Sequence, residues 1–265
     1  MIIDSSISAV VTGGASGLGL GTVKALRALG AKVAIFDFNP ETGEAQAAET
    51  GATFCQVDVT SDEQVDAAFA KARAANGQER ILVNCAGGSR MRGRIISKDK
   101  ETGVWTHNSI ADFEQTLQLN TVGTMRCIMK SAIGMAALEP LNEDGERGAI
   151  VSTGSVAAED GQIGQAAYTA AKAAIKGMTL QVARELMHLG IRNNTILPGI
   201  MATPPMLAVK DRNLSIWEGL NAAVPFPKRL GKPEEFADLV LTMCRNGYFN
   251  GQVVRLDGAI RMPPQ

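Results

Sequence analysis

The sequence predicts an α/β fold with a doubly wound parallel sheet. Short runs rich in β-branched residues alternate with longer amphipathic stretches over all 265 residues. Strands that alternate with helices in this way indicate a parallel sheet covered by helices on both faces. Because crossovers between parallel strands are right-handed, the doubly wound topology is the expected one. No Pro/Ser-rich linker or internal repeat divides the chain, so we expect one domain over residues 1–265.

Each element is predicted from its local pattern. We predict strands at 8–13, 32–37, 53–58, 80–87, 148–155, 191–199 and 252–258. We predict helices at 17–29, from about 41, at 61–75, from about 112, at 165–189 and from 233. Gly30 is typical of a helix end, Ser61 with Gln64 of a capping box, and Pro233 of a first helical turn. The segments 88–109 and 199–232 are predicted as loops.

Composition and charge narrow the classes of function. The formal net charge is −1 and no basic run or stripe occurs, so we predict no nucleic-acid partner. No stretch approaches 18 apolar residues and the first residues lack a basic signal segment, so we predict no membrane span. The four cysteines and two histidines are isolated, which predicts reduced thiols and no metal site. We therefore expect a cytoplasmic protein, or a mitochondrial matrix protein in a eukaryote.

A glycine-rich segment follows the first predicted strand. In "TGGASGLG" (12–19), Gly13, Gly17 and Gly19 allow a sharp turn and close approach of the backbone to a pyrophosphate. The helix that begins at Gly17 presents free N–H groups to such an anion. Glycine-rich turns are common by themselves, so the position between strand and helix is what favours a nucleotide site.

An acidic residue ends the second predicted strand. Asp37 lies 18 residues after Gly19, where a carboxylate that binds ribose hydroxyls is expected. A carboxylate repels the 2′-phosphate of NADP, and neighbouring Ala15 and Phe38 carry no cation to receive that phosphate. The cofactor is therefore predicted to be NAD. Asp58 ends the third predicted strand and the "NCAG" segment (84–87) ends the fourth, and both would border the adenosine.

The catalytic candidates lie on the helix predicted at 165–189. Tyr168 and Lys172 are four residues apart and so share one helix face. A phenol with a pKa near ~10 is a poor base at neutral pH, but an ammonium group and an oxidised nicotinamide ring nearby favour the phenolate. We therefore predict Tyr168 as a general base whose pKa Lys172 lowers. Ser155 would hold the substrate oxygen, and Asn120 a water that links Lys172 to solvent.

Each of these residues has a simpler structural interpretation. A lone tyrosine is usually a packed side chain, a lone lysine a solvated charge, and a serine after a strand a turn residue. The catalytic interpretation is favoured because all of them follow a nucleotide-binding pattern in the same predicted fold.

Together these motifs resemble those of the classical short-chain dehydrogenases/reductases, which have a Rossmann-type fold. The resemblance rests on "TGGASGLG", "NCAG", Asn120, Ser155 and the Tyr168-x-x-x-Lys172 spacing. It implies that Ser155, Tyr168 and Lys172 lie beside the nicotinamide and that Asn120 supports a proton relay. It also implies a homo-oligomer, commonly a tetramer. The predicted cofactor residues are Gly13, Ser16, Gly17, Leu18, Gly19, Asp37, Asp58, Val59, Asn84, Ala86, Gly87, Tyr168, Lys172, Pro198, Gly199 and Thr203.

Other segments resemble the branch of the family that acts on 3-hydroxyacyl-CoA thioesters and some steroid alcohols. They are "SVAAEDGQIGQAAYTAAK", "VPFPKRLG" (224–231) and "NGQVVRLDGAIRM" (250–262). The resemblance implies NAD-dependent interconversion of a secondary alcohol and a ketone, with substrate contacts from Ser155, Gln165 and Tyr168. A steroid or other bulky alcohol is the alternative substrate, and a non-catalytic NAD-binding scaffold or redox sensor is the alternative of another class.

The sequence departs from that branch at 88–109 and 198–206, both predicted to line the substrate site. The first of these segments is rich in cations: Arg90, Arg92, Arg94, Lys98 and Lys100. The cations are either a solvated surface cluster, which is the usual case, or a site for the phosphates of coenzyme A.

Overall fold

Seven parallel strands form one sheet in a computed structural model that describes residues 1–264. They are β1 (Ser8–Thr12), β2 (Lys32–Asp37), β3 (Thr53–Gln56), β4 (Ile81–Asn84), β7 (Gly148–Thr153), β8 (Ile191–Pro198) and β9 (Val253–Leu256). Their order across the sheet is β3-β2-β1-β4-β7-β8-β9, and all neighbours pair in parallel. The predicted Rossmann-type α/β fold is confirmed.

Helices cover both faces of the sheet. They are α1 (Gly17–Ala28), α2 (Pro40–Thr50), α3 (Asp62–Asn76), α4 (Ile110–Leu117), α5 (Gly123–Ala136), α6 (Ala166–Leu186), α7 (Pro204–Arg212), α8 (Leu214–Ala223) and α9 (Pro233–Arg245). Apolar side chains of α1 and α9, such as Leu26 and Phe236, pack in one core layer. Those of α3, α5 and α6, such as Phe69 and Met135, pack in the other. No helix in this described range is both long and apolar enough to cross a membrane.

The strand order reverses between β1 and β4. The chain runs outward from β1 through β2 to β3 and then returns to β4 on the other side of β1. Thr12, at the end of β1, is therefore paired with Phe36 on one side and Asn84 on the other. The loops after β1 and β4 diverge at this point, and doubly wound sheets bind ligands in the crevice so formed.

The prediction of a loop at 88–109 is wrong for part of this segment. It contains a two-stranded antiparallel hairpin of β5 (Ile96–Lys98) and β6 (Trp105–His107). Every residue of both strands is exposed. Strands of three residues with neither face buried leave no alternation of polar and apolar residues, so the sequence pattern does not show them. We call residues 88–109 the cationic hairpin.

The prediction of a loop at 199–232 is also wrong over much of its length, because α7 and α8 lie there. Neither helix buries any residue fully. Sequence periodicity identifies helices by the apolar stripe that they bury, so two helices that bury no residue are poorly recognised from it.

The long helix predicted from about residue 112 is interrupted by a π-helical turn. Residues Gln118–Val122 form this turn between α4 and α5. A π-helical turn adds a residue to the helical repeat and rotates the remainder of the helix, and such turns are frequent at functional sites. Asn120 lies within it and is fully buried.

Candidate active site

A cavity of about 930 Å³ opens at the carboxyl edge of the sheet. Thirteen of the predicted site residues line it, from both the nucleotide and the catalytic set: Gly13, Ser16, Gly17, Leu18, Gly19, Asp37, Asp58, Val59, Ala86, Gly87, Tyr168, Lys172 and Thr203. The fold thus brings together residues that are more than 150 positions apart in the chain.

Glycine is required in the loop after β1 because the backbone has no room for side chains. Gly13 has a φ of +62°, and a Cβ there would lie 2.8 Å from the backbone nitrogen of Ala86. A Cβ at Gly19 would overlap the carbonyl oxygen of Gly13. A Cβ at Gly17 would lie 3.3 Å from Cγ2 of Thr203. These contacts join the loops after β1, β4 and β8 into one wall, where a bare backbone faces the cavity.

Thr12 is a residue of this wall that the sequence analysis missed. Its Oγ1 accepts hydrogen bonds from the backbone N–H groups of Cys85 and Ala86, each 3.1 Å long. The hydroxyl thereby ties the "NCAG" segment to the end of β1. A polar residue as the last member of an otherwise apolar strand is the signal that would have drawn attention to it.

Two carboxylates are held at the nucleotide end of the cavity. Oδ2 of Asp37 accepts the N–H of Ala15 at 3.1 Å, which fixes the carboxylate against the glycine-rich loop. Oδ1 of Asp58 accepts both the N–H and the hydroxyl of Thr60. The N–H of Asp58 donates to Oε1 of Gln64, whose side chain therefore serves this turn rather than completing the predicted capping box.

Lys172 is the buried cation of the site. Its side chain points into the cavity wall, and the residue is only 4% exposed. Nζ donates to the carbonyl oxygen of Thr153 at the end of β7 over 2.9 Å and lies 5.6 Å from the centre of the Tyr168 ring. Burial lowers the pKa of Lys172 to about 8, because the charged form loses its hydration.

The pKa of Tyr168 moves in the direction opposite to our prediction. Protein packed around the phenol raises its pKa, and the neighbouring Ser155 side chain only partly opposes this rise. The charged phenolate loses its hydration in the packed wall, and this cost exceeds the gain from the hydrogen bond with Ser155.

Asn120 is held beside Lys172 by the backbone. Its Nδ2 donates to the carbonyl oxygens of Gly88 and Thr116 at 2.6 and 2.8 Å, and its Oδ1 accepts the N–H of Gly88 at 3.2 Å. A Cβ on Gly87 would lie 2.5 Å from Oδ1 of Asn120 and 3.3 Å from Nζ of Lys172. Because Gly87 has no side chain, the Asn120 amide and the Lys172 ammonium can both approach its Cα.

Several predicted residues do not line the cavity: Asn84, Asn120, Ser155, Gln165, Pro198 and Gly199. Asn84 is buried and donates to the hydroxyl of Ser152 at 3.3 Å, so it joins β4 to β7. Gly199 allows close packing, since a Cβ there would lie 2.8 Å from Cα of Asp257. Ser155 follows β7 and its side chain lies next to Tyr168, and Gln165 is the residue before α6.

Other lining residues were missed by the sequence analysis. They are Gln115, Gln118, Leu119 and Thr153 among others, whereas Cys85, Gly88, Pro204 and Pro205 fall in segments that were predicted to border the nucleotide or the substrate. Thr153 is at a strand end, where the topology rule would have found it. Gln115 lies in α4 and Gln118 begins the π-helical turn, and no sequence signal marks either as a cavity residue.

This arrangement is that of an enzyme family. The model of the short-chain dehydrogenase family described as "Enoyl-(Acyl carrier protein) reductase" matches residues 13–260. The chain therefore belongs to the short-chain dehydrogenases/reductases, a family of oxidoreductases that bind nicotinamide cofactors.

Individual relatives match over nearly the whole chain. The chain is 44% identical to 3-hydroxyacyl-CoA dehydrogenase type-2 of Drosophila melanogaster, over 99% of this chain and 100% of that one. It is 43% identical to the Homo sapiens enzyme of the same name, over 97% and 95%. A crystal structure of 3-hydroxyacyl-CoA dehydrogenase type-2 from Mycobacterium avium has a TM-score of 0.90 at 43% identity, covering 99% of this chain and 98% of that one.

Proposed function

We propose that this protein interconverts a secondary alcohol and a ketone with NAD, and that its substrate is a 3-hydroxyacyl-CoA. One observation carries the reaction class: Tyr168 and the buried Lys172 face the same cavity that the glycine-rich loop and Asp37 line at its other end. If the pair served only to pack the helix, a lysine would not be needed there, because burial destabilises its charged form and lowers its pKa.

The residues at the nucleotide end fit NAD. Gly13 and Gly19 let the loop after β1 fold tightly enough to present its backbone to a pyrophosphate, since a Cβ at either position would collide with neighbouring backbone. The carboxylate of Asp37 suits ribose hydroxyls and repels a 2′-phosphate. Two cations line the cavity, Arg90 and Lys172. The backbone of Arg90 donates to Thr116 and the side chain of Lys172 to Thr153, which places both on the β4–β7 side of the cleft, away from Asp37. NAD is therefore favoured over NADP.

The chemistry of this chain is the movement of one proton at the substrate oxygen. When bound, the nicotinamide exchanges a hydride with the carbon that bears that oxygen. Tyr168 accepts the hydroxyl proton in oxidation and returns it in reduction, and Ser155 orients the oxygen beside it. Because the surrounding protein raises the pKa of Tyr168, a positive charge on the bound cofactor is what would favour the phenolate. Lys172, held by Thr153, adds its charge to the same wall, and Asn120 supports the relay of protons.

A tyrosine substitution tests the reaction class. Tyr168→Phe removes the proton acceptor, so turnover should fall by about 10²- to 10⁴-fold while NADH binding stays intact. The matched control is Tyr248→Phe, because Tyr248 is the other tyrosine of the chain and is 98% exposed. Retention of substantial activity by Tyr168→Phe would refute the assignment.

The substrate is proposed from the relatives and from the cationic hairpin together. The base of the hairpin lies against the loop before α6, since a Cβ on Gly164 would be 3.4 Å from Cα of Gly93. Arg90 lines the cavity itself. Arg92, Arg94 and Lys98 are exposed beyond it. The hairpin thus extends positive charge outward from the mouth of the cavity, where the phosphates of a coenzyme A thioester would lie.

Charge reversal tests the role of the hairpin. Arg92→Glu with Lys98→Glu should raise KM for a 3-hydroxyacyl-CoA but not for a small secondary alcohol. The matched control is Lys32→Glu, an exposed reversal at the amino end of β2, on the opposite edge of the sheet. Equal effects on both substrates would show that the hairpin does not recognise coenzyme A.

An absorbance assay of NADH across a substrate panel separates the alternatives. Preference for steroid alcohols over acyl-CoA thioesters would favour the bulky-alcohol enzyme. NADH binding without turnover of any member would favour the non-catalytic scaffold or redox sensor. Turnover led by 3-hydroxyacyl-CoA substrates is the result that we expect.

Assembly and compartment are proposed on separate grounds. We propose a homotetramer, supported by the family resemblance and by exposed apolar residues on α5, where Met129 is 60% and Ile133 76% exposed. Light scattering coupled to size exclusion measures this directly. We also propose a reducing compartment, the cytoplasm or mitochondrial matrix, because the four cysteines are unpaired and burial raises the pKa of every one of their thiols.

A further inference from the structure

The loop that precedes the tyrosine helix is held by the end of the chain. We call residues 159–165 the substrate loop, because Gln165 at its end is the residue before α6 and is the predicted substrate contact. We call residues 257–264 the C-terminal tail. The base of the cationic hairpin lies on one side of the substrate loop at Gly164, and the tail contacts it through three separate residues.

The first contact centres on the carboxylate of Asp160, which both Arg255 of β9 and the tail bind. Arg255 is the ionic partner. Its guanidinium binds the carboxylate of Asp160 with two hydrogen bonds, of 2.9 and 2.7 Å, and so in the bidentate geometry that fixes orientation best. The same carboxylate accepts the N–H of Met262 at 3.1 Å. Asp160 therefore joins the start of the substrate loop both to the sheet and to the tail. Hydrogen bonding by Arg255 lowers the pKa of Asp160, consistent with a carboxylate that stays ionised.

The second set of contacts reaches Gln165. The N–H of Ile163 donates to the carbonyl oxygen of Pro264 at 2.9 Å. Nε2 of Gln162 donates to the carbonyl oxygen of Pro263 at 3.2 Å. Oε1 of Gln162 in turn accepts from Nε2 of Gln165 at 3.0 Å. Hydrogen bonds thus run without a break from the tail through Gln162 to Gln165.

We propose that the C-terminal tail braces the substrate loop, and that Gln162 is a positioning residue that holds Gln165 for the substrate. A seven-residue loop with glycines at 161 and 164 has many conformations in the absence of such contacts. The tail contacts at residues 160, 162 and 163 reduce that freedom. The part of this inference that concerns substrate rests on the function proposed above.

Two variants test the brace. Deletion of residues 263–265 removes both proline carbonyl acceptors, and Gln162→Met removes the side-chain link while keeping a similar volume. Each should raise KM for a 3-hydroxyacyl-CoA about ten-fold, which is ~1.4 kcal/mol and the size of one or two net hydrogen bonds. We expect kcat and the NADH dissociation constant to change little, because the glycine-rich loop and Lys172 are untouched.

The matched control is Gln181→Met. Gln181 is an exposed residue of α6 whose side chain donates to Glu185 and touches neither the substrate loop nor the tail, so the same change there should leave KM unchanged. A variant that lost NADH affinity together with substrate affinity would indicate general damage and would count against a positioning role.

Hydrogen exchange of the backbone gives a readout that does not depend on activity. In the deletion variant, exchange should quicken in the peptide that covers 159–165 and stay unchanged in peptides from α1. Unchanged exchange at 159–165, or unchanged KM in a chain that turns over normally, would overturn the brace. If the full chain turns over no acyl-CoA substrate, the proposed function fails instead, and the exchange rates still decide whether the tail holds the loop.

Discussion

Replacing the buried lysine should make the protein more stable while it abolishes activity. Lys172→Met removes a charge from a site where burial lowers the lysine pKa from 10.5 to about 8. At ~1.4 kcal/mol per pKa unit, that difference corresponds to about 3 kcal/mol of destabilisation at neutral pH. Loss of the hydrogen bond to the Thr153 carbonyl opposes the gain by about 1 kcal/mol. The free energy of unfolding should therefore rise by about 2 kcal/mol at pH 7.

The pH dependence of this gain identifies its cause. Below pH 8 both the folded and the unfolded chain carry the charge on Lys172, and the folded state bears the whole cost of burying it. Between about 8 and 10.5 the unfolded chain holds a proton that the folded chain has lost, so wild-type stability from this group rises with pH. The advantage of Lys172→Met should therefore shrink to nearly zero by about pH 9.5.

Urea unfolding at both pH values, at one fixed protein concentration, measures the effect. Burial raises the pKa of the neighbouring Cys85 thiol to about 11, so in the folded protein that thiol stays largely protonated at both pH values and the difference between wild type and variant reports Lys172. Lys176→Met is the matched control, because it makes the same change one turn later in α6 at a side chain that is 40% exposed. The reasoning is wrong if Lys172→Met is less stable at pH 7, or if its difference from wild type is the same at both pH values.

Other contacts lead to three further predictions. Asp37→Ser should weaken NADH binding and improve NADPH binding, because it removes a carboxylate that repels the 2′-phosphate. Titration with both nucleotides measures the preference, and an unchanged preference would contradict the role of Asp37. Gly13→Ala should destabilise the loop by at least about 1 kcal/mol and impair NADH binding. The reason is that φ is +62° and the new Cβ would meet the Ala86 backbone at 2.8 Å. An unchanged affinity for NADH would disprove the close approach. Glu146→Gln should lower the free energy of unfolding by about 3–5 kcal/mol at pH 7, because it leaves Arg192 buried beside a neutral partner. Burial raises the pKa of Glu146, but its ion pairing lowers it more, so the folded-state pKa lies below 4.5. The stability difference between wild type and variant should therefore vanish as the pH falls below the pKa of Glu146. An equal difference in acid would refute the ion-pair explanation.

Local patterns in the sequence determined most of the framework. The alternation of strands and helices predicted the parallel sheet. The position of Gly13, Asp37 and Lys172 relative to the carboxyl edge of that sheet predicted that they would line one cavity. These predictions succeeded because they depend on short-range geometry: a helix places residues four apart on one face, and parallel strands end at one edge. The spacing of Tyr168 and Lys172 is such a case, since α6 keeps its helical repeat from Ala166 to Leu186.

Packing between distant segments decided the rest. The exposed strands of the cationic hairpin and the half-exposed helices α7 and α8 bury too little for periodicity to mark them. The π-helical turn at Asn120 and the assignment of Asn84 to the sheet rather than the cavity depend on neighbours that sequence spacing does not reveal. The direction of the Tyr168 pKa shift is the clearest example. Sequence places a lysine one turn away, but only the tertiary structure shows that both groups are buried, and loss of hydration then raises the pKa of Tyr168 and lowers that of Lys172.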